Sequence, residues 1–153
     1  MNGREAIFLF ATVFAAGASA PVAASEPIRE MQPERWFNPA RCDDKHDERL
    51  GMSCAKDREI FVAEMELAFR GDYQGQDNLK SYFSGSGEGA VIKTPYLACA
   101  WSTIIVNYPS ENIDYYGGDL QTEARDMLRH CDALDRADAA IVPSVVERIV
   151  NPH

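Results

Sequence analysis

The chain has 153 residues, 46% of them hydrophobic, and a formal net charge of −9. That length and apolar content suffice for one domain with a modest core. The charge argues against nucleic acid or an anionic membrane surface as a partner, because an acidic domain repels phosphates; cationic partners, or plain solubility, suit it better.

The first residues, Met-Asn-Gly-Arg-Glu, precede an apolar run from Ala6 to Ala16 and a small-residue stretch from Gly17 to Ala24. A polar start with Arg4, an apolar middle and a small-residue end form the layout of a secretory signal peptide. The apolar run is shorter than the ~20 residues of a membrane-spanning helix. Val22-Ala23-Ala24 places cleavage before Ser25. Ala18-Ser19-Ala20 is a second candidate, with Pro21 just after the cut, and a retained N-terminal anchor is the other reading of the whole segment. The expected organisation is a signal peptide over 1–24, an irregular segment over 25–56 and a helical domain over 57–150. The mature protein is expected to be periplasmic or secreted.

Export changes how cysteines are read. Cys42, Cys54, Cys99 and Cys131 all lie beyond the leader, and their even number in an oxidising compartment suggests two disulfides, with three possible connectivities. Cys42–Cys54 with Cys99–Cys131 is favoured because each pair joins plausibly adjacent segments. Free buried thiols acting as small apolar residues are the alternative.

From Ser25 to about Lys56 the chain holds Pro27, Pro33 and Pro39 and few periodic apolar residues. Trp36 and Phe37 are its large aromatics, expected to pin the segment onto the helical body. A helix is predicted over Asp57–Arg70, with Asp57 capping, Ile60, Phe61, Met65, Ala68 and Phe69 on one face, and Gly71 at its exit. A second, over Tyr73–Ser84, buries Leu79, Tyr82 and Phe83. Thr94-Pro95 starts a third, running to about Asn107 and apolar on nearly all sides, hence central; Pro109 ends it. Asp119 opens a fourth, reaching Asp135, with Leu120, Ala124, Met127, Leu128, Cys131 and Leu134 as the apolar stripe. Arg125 and Arg129 fall on its solvent side, with Glu123 and Asp126 as partners. The last segment, Ala137–Val150, contains Pro143 and is expected to form a broken or short helix starting near that proline. No strand pattern appears, so the fold class is all-α.

Gln76-Asp77-Asn78-Leu79, Tyr82-Phe83, the run Gly85-Ser86-Gly87-Glu88-Gly89-Ala90, Pro95 and Ala98-Cys99-Ala100-Trp101 together resemble a Sel1-like repeat, a relative of the tetratricopeptide repeat. Gly87-Glu88-Gly89-Ala90 stands for the family's Gly-x-Gly-Val loop, and Ala98 with Trp101 for its Ala-x-x-Trp helix. Lys80 stands where the family places Gly. The resemblance covers one copy, roughly Tyr73 to Asn107. It implies a short stack of antiparallel helical hairpins, and a role in protein–protein contact. One hairpin cannot bury its own apolar face, so the Asp57–Arg70 and Asp119–Asp135 helices are expected to cap it.

No residue set carries evident chemistry. The run Asp43-Asp44-Lys45-His46-Asp47-Glu48 lacks the spacing and central Gly of a calcium loop and reads as solvated. Cys99 with His130 suggests a thiol and a base, but a cysteine in mid-helix on an apolar face of an exported chain is better read as a disulfide half. Gly85, Gly87 and Gly89 lack the Lys-Ser/Thr of a phosphate loop, and Glu88 would repel a phosphate. Trp101 reads as core rather than a ligand-stacking ring. Tyr108, Tyr115 and Tyr116 gather around a connector, either as a contact surface or as covers for helix ends. The expectation is a non-catalytic, exported interaction module without cofactor or metal. The alternative is a small acidic exported inhibitor or envelope-stress protein binding a cationic enzyme or toxin. Intact-mass and peptide mapping of the purified, unreduced protein should give Ser25 as first residue and the pairs Cys42–Cys54 and Cys99–Cys131. Retained Met1, or a Cys42–Cys99 link, would overturn this reading.

Overall fold

The computed structural model describes residues 29–38, 54–85 and 90–152, with side chains in the second stretch from Lys56 onward. The leader, the Asp43–Glu48 run, the Cys42–Cys54 pairing and the glycines at 87 and 89 lie outside the described residues. Five α-helices make up the body: α1 Cys54–Phe69, α2 Tyr73–Ser84, α3 Pro95–Asn107, α4 Leu120–Asp132 and α5 Arg136–Val150. They pack against one another with α3 in the middle, against α2, α4 and α5, and with α1 chiefly against α2. The fold is all-α. Among the described residues, extended backbone pairs only at an isolated antiparallel bridge between Phe37 and Val91. No described helix is long and apolar enough to cross a membrane.

The α1–α2 junction is built from three residues. Gly71 adopts φ +84°, and its N–H donates to the Ala68 carbonyl while the Asp72 N–H donates to that of Leu67. This left-handed termination satisfies the last carbonyls of α1, and glycine reaches it without Cβ strain. Asp72 then caps α2, its side chain accepting from the Gly75 N–H at 3.0 Å. Gly75 lets the two helices touch: a Cβ there would lie 2.6 Å from the Ala68 backbone nitrogen. Helix α1 begins at Cys54, three residues before the expected Asp57 cap. Ala55 and Lys56 are good helix formers, and Asp57 in the first turn still meets the positive end of the helix dipole.

Helix α3 carries Leu97, Ala98, Cys99, Ala100, Trp101, Ser102, Ile104 and Ile105 as buried residues, so it is enclosed on most sides as expected. The Ser102 hydroxyl, fully buried, donates to the Ala98 carbonyl and needs no partner from another helix. Thr94 occupies the cap position, but its hydroxyl does not cap; it donates to the Ile92 carbonyl instead. Pro95 has no N–H to leave unsatisfied, and the Thr94 carbonyl takes the Leu97 and Ala98 N–H groups. Trp101, 2% exposed, meets Phe69 of α1 edge-on at 5.2 Å between ring centroids. Phe61 makes similar contacts with Tyr82 and Phe83 of α2.

Two expectations about the C-terminal half are corrected. Helix α5 is one continuous helix with Pro143 inside it, not a short helix starting there. Its start is fixed upstream by Asp135, whose carboxylate accepts from the Ala137 and Asp138 N–H groups. Pro143 faces solvent, while Val142, Val145, Val146 and Ile149 are buried. An interior proline costs ~3 kcal/mol, against ~1.5–3 kcal/mol gained for each buried aliphatic side chain, so packing wins. On α4, Leu120 and Leu128 are exposed rather than buried, and Glu123 is buried rather than solvent-facing.

The segment before α1 is held to the helices, as Trp36 and Phe37 suggested. Both are buried, and Trp36 meets Phe83 edge-on at 5.8 Å. The Ile92 N–H donates to the Trp36 carbonyl, and the Asn38 N–H to that of Ala90. Glu30, itself buried, accepts from Arg148 of α5 at 2.6 Å. Because Trp101 sits at the centre of this packing, Trp101→Ala should lower stability by ~3–5 kcal/mol. Denaturant titration checks it; an unchanged midpoint would show that the ring is not core.

Candidate functional site

Helix α2 is buried on two sides. Leu79 and Phe83 enter the main core, while Tyr73, Gln76 and Lys80, at i, i+3 and i+7, face other neighbours. Lys80 is a buried cation, and its Nζ lies 2.6 Å from Asp77, 2.7 Å from Glu123 and 3.7 Å from Asp126. Glu123 arrives from the first turn of α4 with 5% exposure, and its other oxygen accepts from the Tyr73 hydroxyl at 2.9 Å. Asp126 is shared with Arg129 at the rim. Three carboxylates thus already enclose one cation, the Lys80 ammonium.

Burial works to lower the Lys80 pKa, but the Asp77 and Glu123 carboxylates more than offset it, and the group stays above its ordinary value. Tyr73 is pushed well up, first by burial and then by its hydrogen bond to Glu123. The half-buried His130 nearby is lowered, chiefly by burial and then by Arg129. At neutral pH the Lys80 amine is therefore protonated, and both Glu123 oxygens are engaged. Chemically the cluster is a lock between α2 and α4.

The opposite end of α4 is tied differently. The Cys99 and Cys131 sulfurs lie at disulfide distance, with Cα atoms 4.9 Å apart, joining α3 to α4 as the sequence suggested. Cys99 is therefore not paired with His130 as a nucleophile. Of the two ties on α4, Glu123 is the buried one and Cys131 packs against the core's edge; between them Met127 is half-buried. Glu123 faces inward, Leu128, 56% exposed, lies on the outer edge of α4, and Leu120 is exposed at the first position of the helix.

The connector from Tyr108 to Asp119 feeds α4. Ile113 anchors it from below, buried with Tyr73 and Ile105. Asn112 accepts from the Tyr73 N–H and donates to Asp72. Gly117 takes φ +72°, and Gly118 lies so close to Ile113 and Tyr73 that a Cβ would come within 2.7 Å of both. On this fixed base Tyr108, Tyr115 and Tyr116 are exposed, Tyr115 to 83%, and the last two meet edge-on at 4.9 Å. The exposed tyrosines and leucines thus follow one another along the chain, from the connector to the middle of α4. The sequence flagged the tyrosines but missed the lock. The i, i+3 spacing of Asp77 and Lys80 was its visible trace.

Breaking a buried pair from one side leaves a charge uncompensated, so Lys80→Ala should cost ~3–5 kcal/mol, while replacing Tyr73, Lys80 and Glu123 together by Phe, Met and Leu should cost far less. The pH dependence has a definite sign. Both Lys80 and Tyr73 have folded-state pKa values raised above their unfolded values, ~10.4 and ~10. Their contribution is full below about pH 10 and is lost as pH rises through the folded values. Urea titrations between neutral and alkaline pH should show a falling limb that the triple replacement flattens. An identical limb in both proteins would assign it to other groups.

Comparison with protein-family models, with curated proteins and with solved structures finds no match to this chain.

Proposed function

We propose that this is a non-catalytic, exported protein–protein interaction module of Sel1-like type, working in the periplasm or outside the cell. The observation that carries the reading is the outward placement of apolar side chains on α4. Leu120 and Leu128 face solvent on α4, Tyr115 and Tyr116 face solvent on the connector that leads into it, and Glu123 is turned inward. Scattered exposed leucines are ordinary; exposed leucines on a helix that follows directly from a tethered connector with paired, exposed tyrosines add apolar and aromatic groups of the kind that partners cover. The helical hairpin of α2 and α3, the Cys99–Cys131 tie and the leader-like N-terminus support the family and the compartment.

The acidic-inhibitor reading retains one observation in its favour, the −9 charge, and differs in what it demands of binding. An inhibitor held by charge alone loses its binding at high salt, whereas a contact that also buries the α4 leucines keeps part of its affinity there.

A photoreactive benzoylphenylalanine placed at Leu128 should crosslink, in intact cells, to one recurrent protein identified by mass spectrometry. The same group at Glu66, exposed on α1, should not. Equal capture at both positions, or none at Leu128, would remove this face as the contact surface.

A further inference from the structure

Resting on the interaction-module reading, we infer that the connector from Tyr108 to Asp119 docks a segment of the partner protein bearing Lys or Arg side chains. Three features of that segment combine. First, it is a platform and not a loose loop. Ile113 is buried beneath it, the Gly118 N–H donates to the Ile113 carbonyl, and the Tyr116 N–H to that of Asn112. Asn112 is itself held between Tyr73 and Asp72. Exposure of the rings therefore does not come from a lack of anchoring.

Second, Tyr115 and Tyr116 present their rings to solvent with each other as ring neighbour, and Tyr108 is exposed at the start of the same connector. Tyrosine faces attract guanidinium and ammonium groups within about 6 Å.

Third, the local charge has one sign. No Lys, Arg or His lies between Lys93 and Arg125. Glu111, Asp114 and Asp119 are all exposed. Asp119 is spent on α4, accepting from the Gln121 and Thr122 N–H groups. Glu111 and Asp114 have no ion pair among the described residues. Arg125, the nearest cation that follows, is turned onto its own helix, donating to the Gln121 carbonyl and the Thr122 hydroxyl. A cationic peptide segment meets both demands at once, stacking on the rings and pairing with the carboxylates. An apolar helix would strand the carboxylates, and a phosphate-bearing ligand would be repelled.

The test uses the mature protein with its cysteines oxidised and a fluorescein-labelled hexa-arginine peptide, followed by anisotropy at low and physiological salt. The wild type should bind, more weakly at higher salt. Tyr115→Ala with Tyr116→Ala, and separately Glu111→Gln with Asp114→Asn, should each lower affinity by about tenfold or more, all four sites being exposed and outside the core. Glu59→Gln with Glu66→Gln, which removes the same charge from α1, should change it by less than about twofold. Absent binding, connector variants equal to wild type, or an equal loss in the α1 variant would each overturn the proposal. If Leu128 still crosslinks a partner while the peptide result is negative, the interaction reading stands and this assignment alone fails.

Discussion

The Lys80–Glu123 ion pair governs how this molecule presents itself. Burying two charges is expensive, and a pair of apolar side chains would hold α2 and α4 together at least as well. What the pair adds is direction. Glu123 points at Lys80 and Tyr73, which places its edge of α4 inward together with Met127 and Cys131 and leaves Leu128 on the opposite edge, exposed; Leu120 is exposed at the first position of the helix.

Helix α4 also shows how unevenly cohesion is spread. Helix α5 is seated by four buried aliphatic residues, and α3 is enclosed almost entirely. Helix α4 relies on an ionic tie near its start and a sulfur tie near its end, with half-buried side chains between. The two ties differ in kind. Proton chemistry at the alkaline end acts on one and thiol chemistry on the other, so each end answers to a different property of the surroundings.

Much of the architecture was legible because local rules and tertiary packing agree. Gly71 ends α1 where turn chemistry puts it, and Asp119 opens α4. Trp36, Phe37 and Trp101 are buried where large aromatics belong. Legibility failed where a local rule met a stronger long-range term. Pro143 reads as a break, yet upstream capping by Asp135 and the valine stripe carry the helix through it. Leu120 and Leu128 read as core, yet Leu120 stands at the first position of α4 and is exposed there, and Glu123 takes the inward edge opposite Leu128; an apolar moment indicates only the direction that is cheapest to bury. The candidate site was half visible. Exposed tyrosines in a connector with no cation can be read from sequence, but the anchoring of Ile113, Asn112 and Gly118 against Tyr73 joins residues about forty positions apart, and one-dimensional periodicity carries no trace of it.

The Asp72–Asn112–Tyr73 arrangement bears on how the molecule breathes. First-turn amides of a helix have no acceptor within the helix and usually exchange their hydrogens quickly. At the start of α2 two of them are claimed by side chains: Gly75 by Asp72 just before the helix, and Tyr73 by Asn112 from the far side of α3 in the chain. The two amides therefore report different events. Opening of the local cap frees the Gly75 hydrogen, whereas the Tyr73 hydrogen is released only when the connector lifts from its seat. Their exchange rates, two residues apart on one helix, separate fraying of α2 from detachment of the tyrosine-bearing surface.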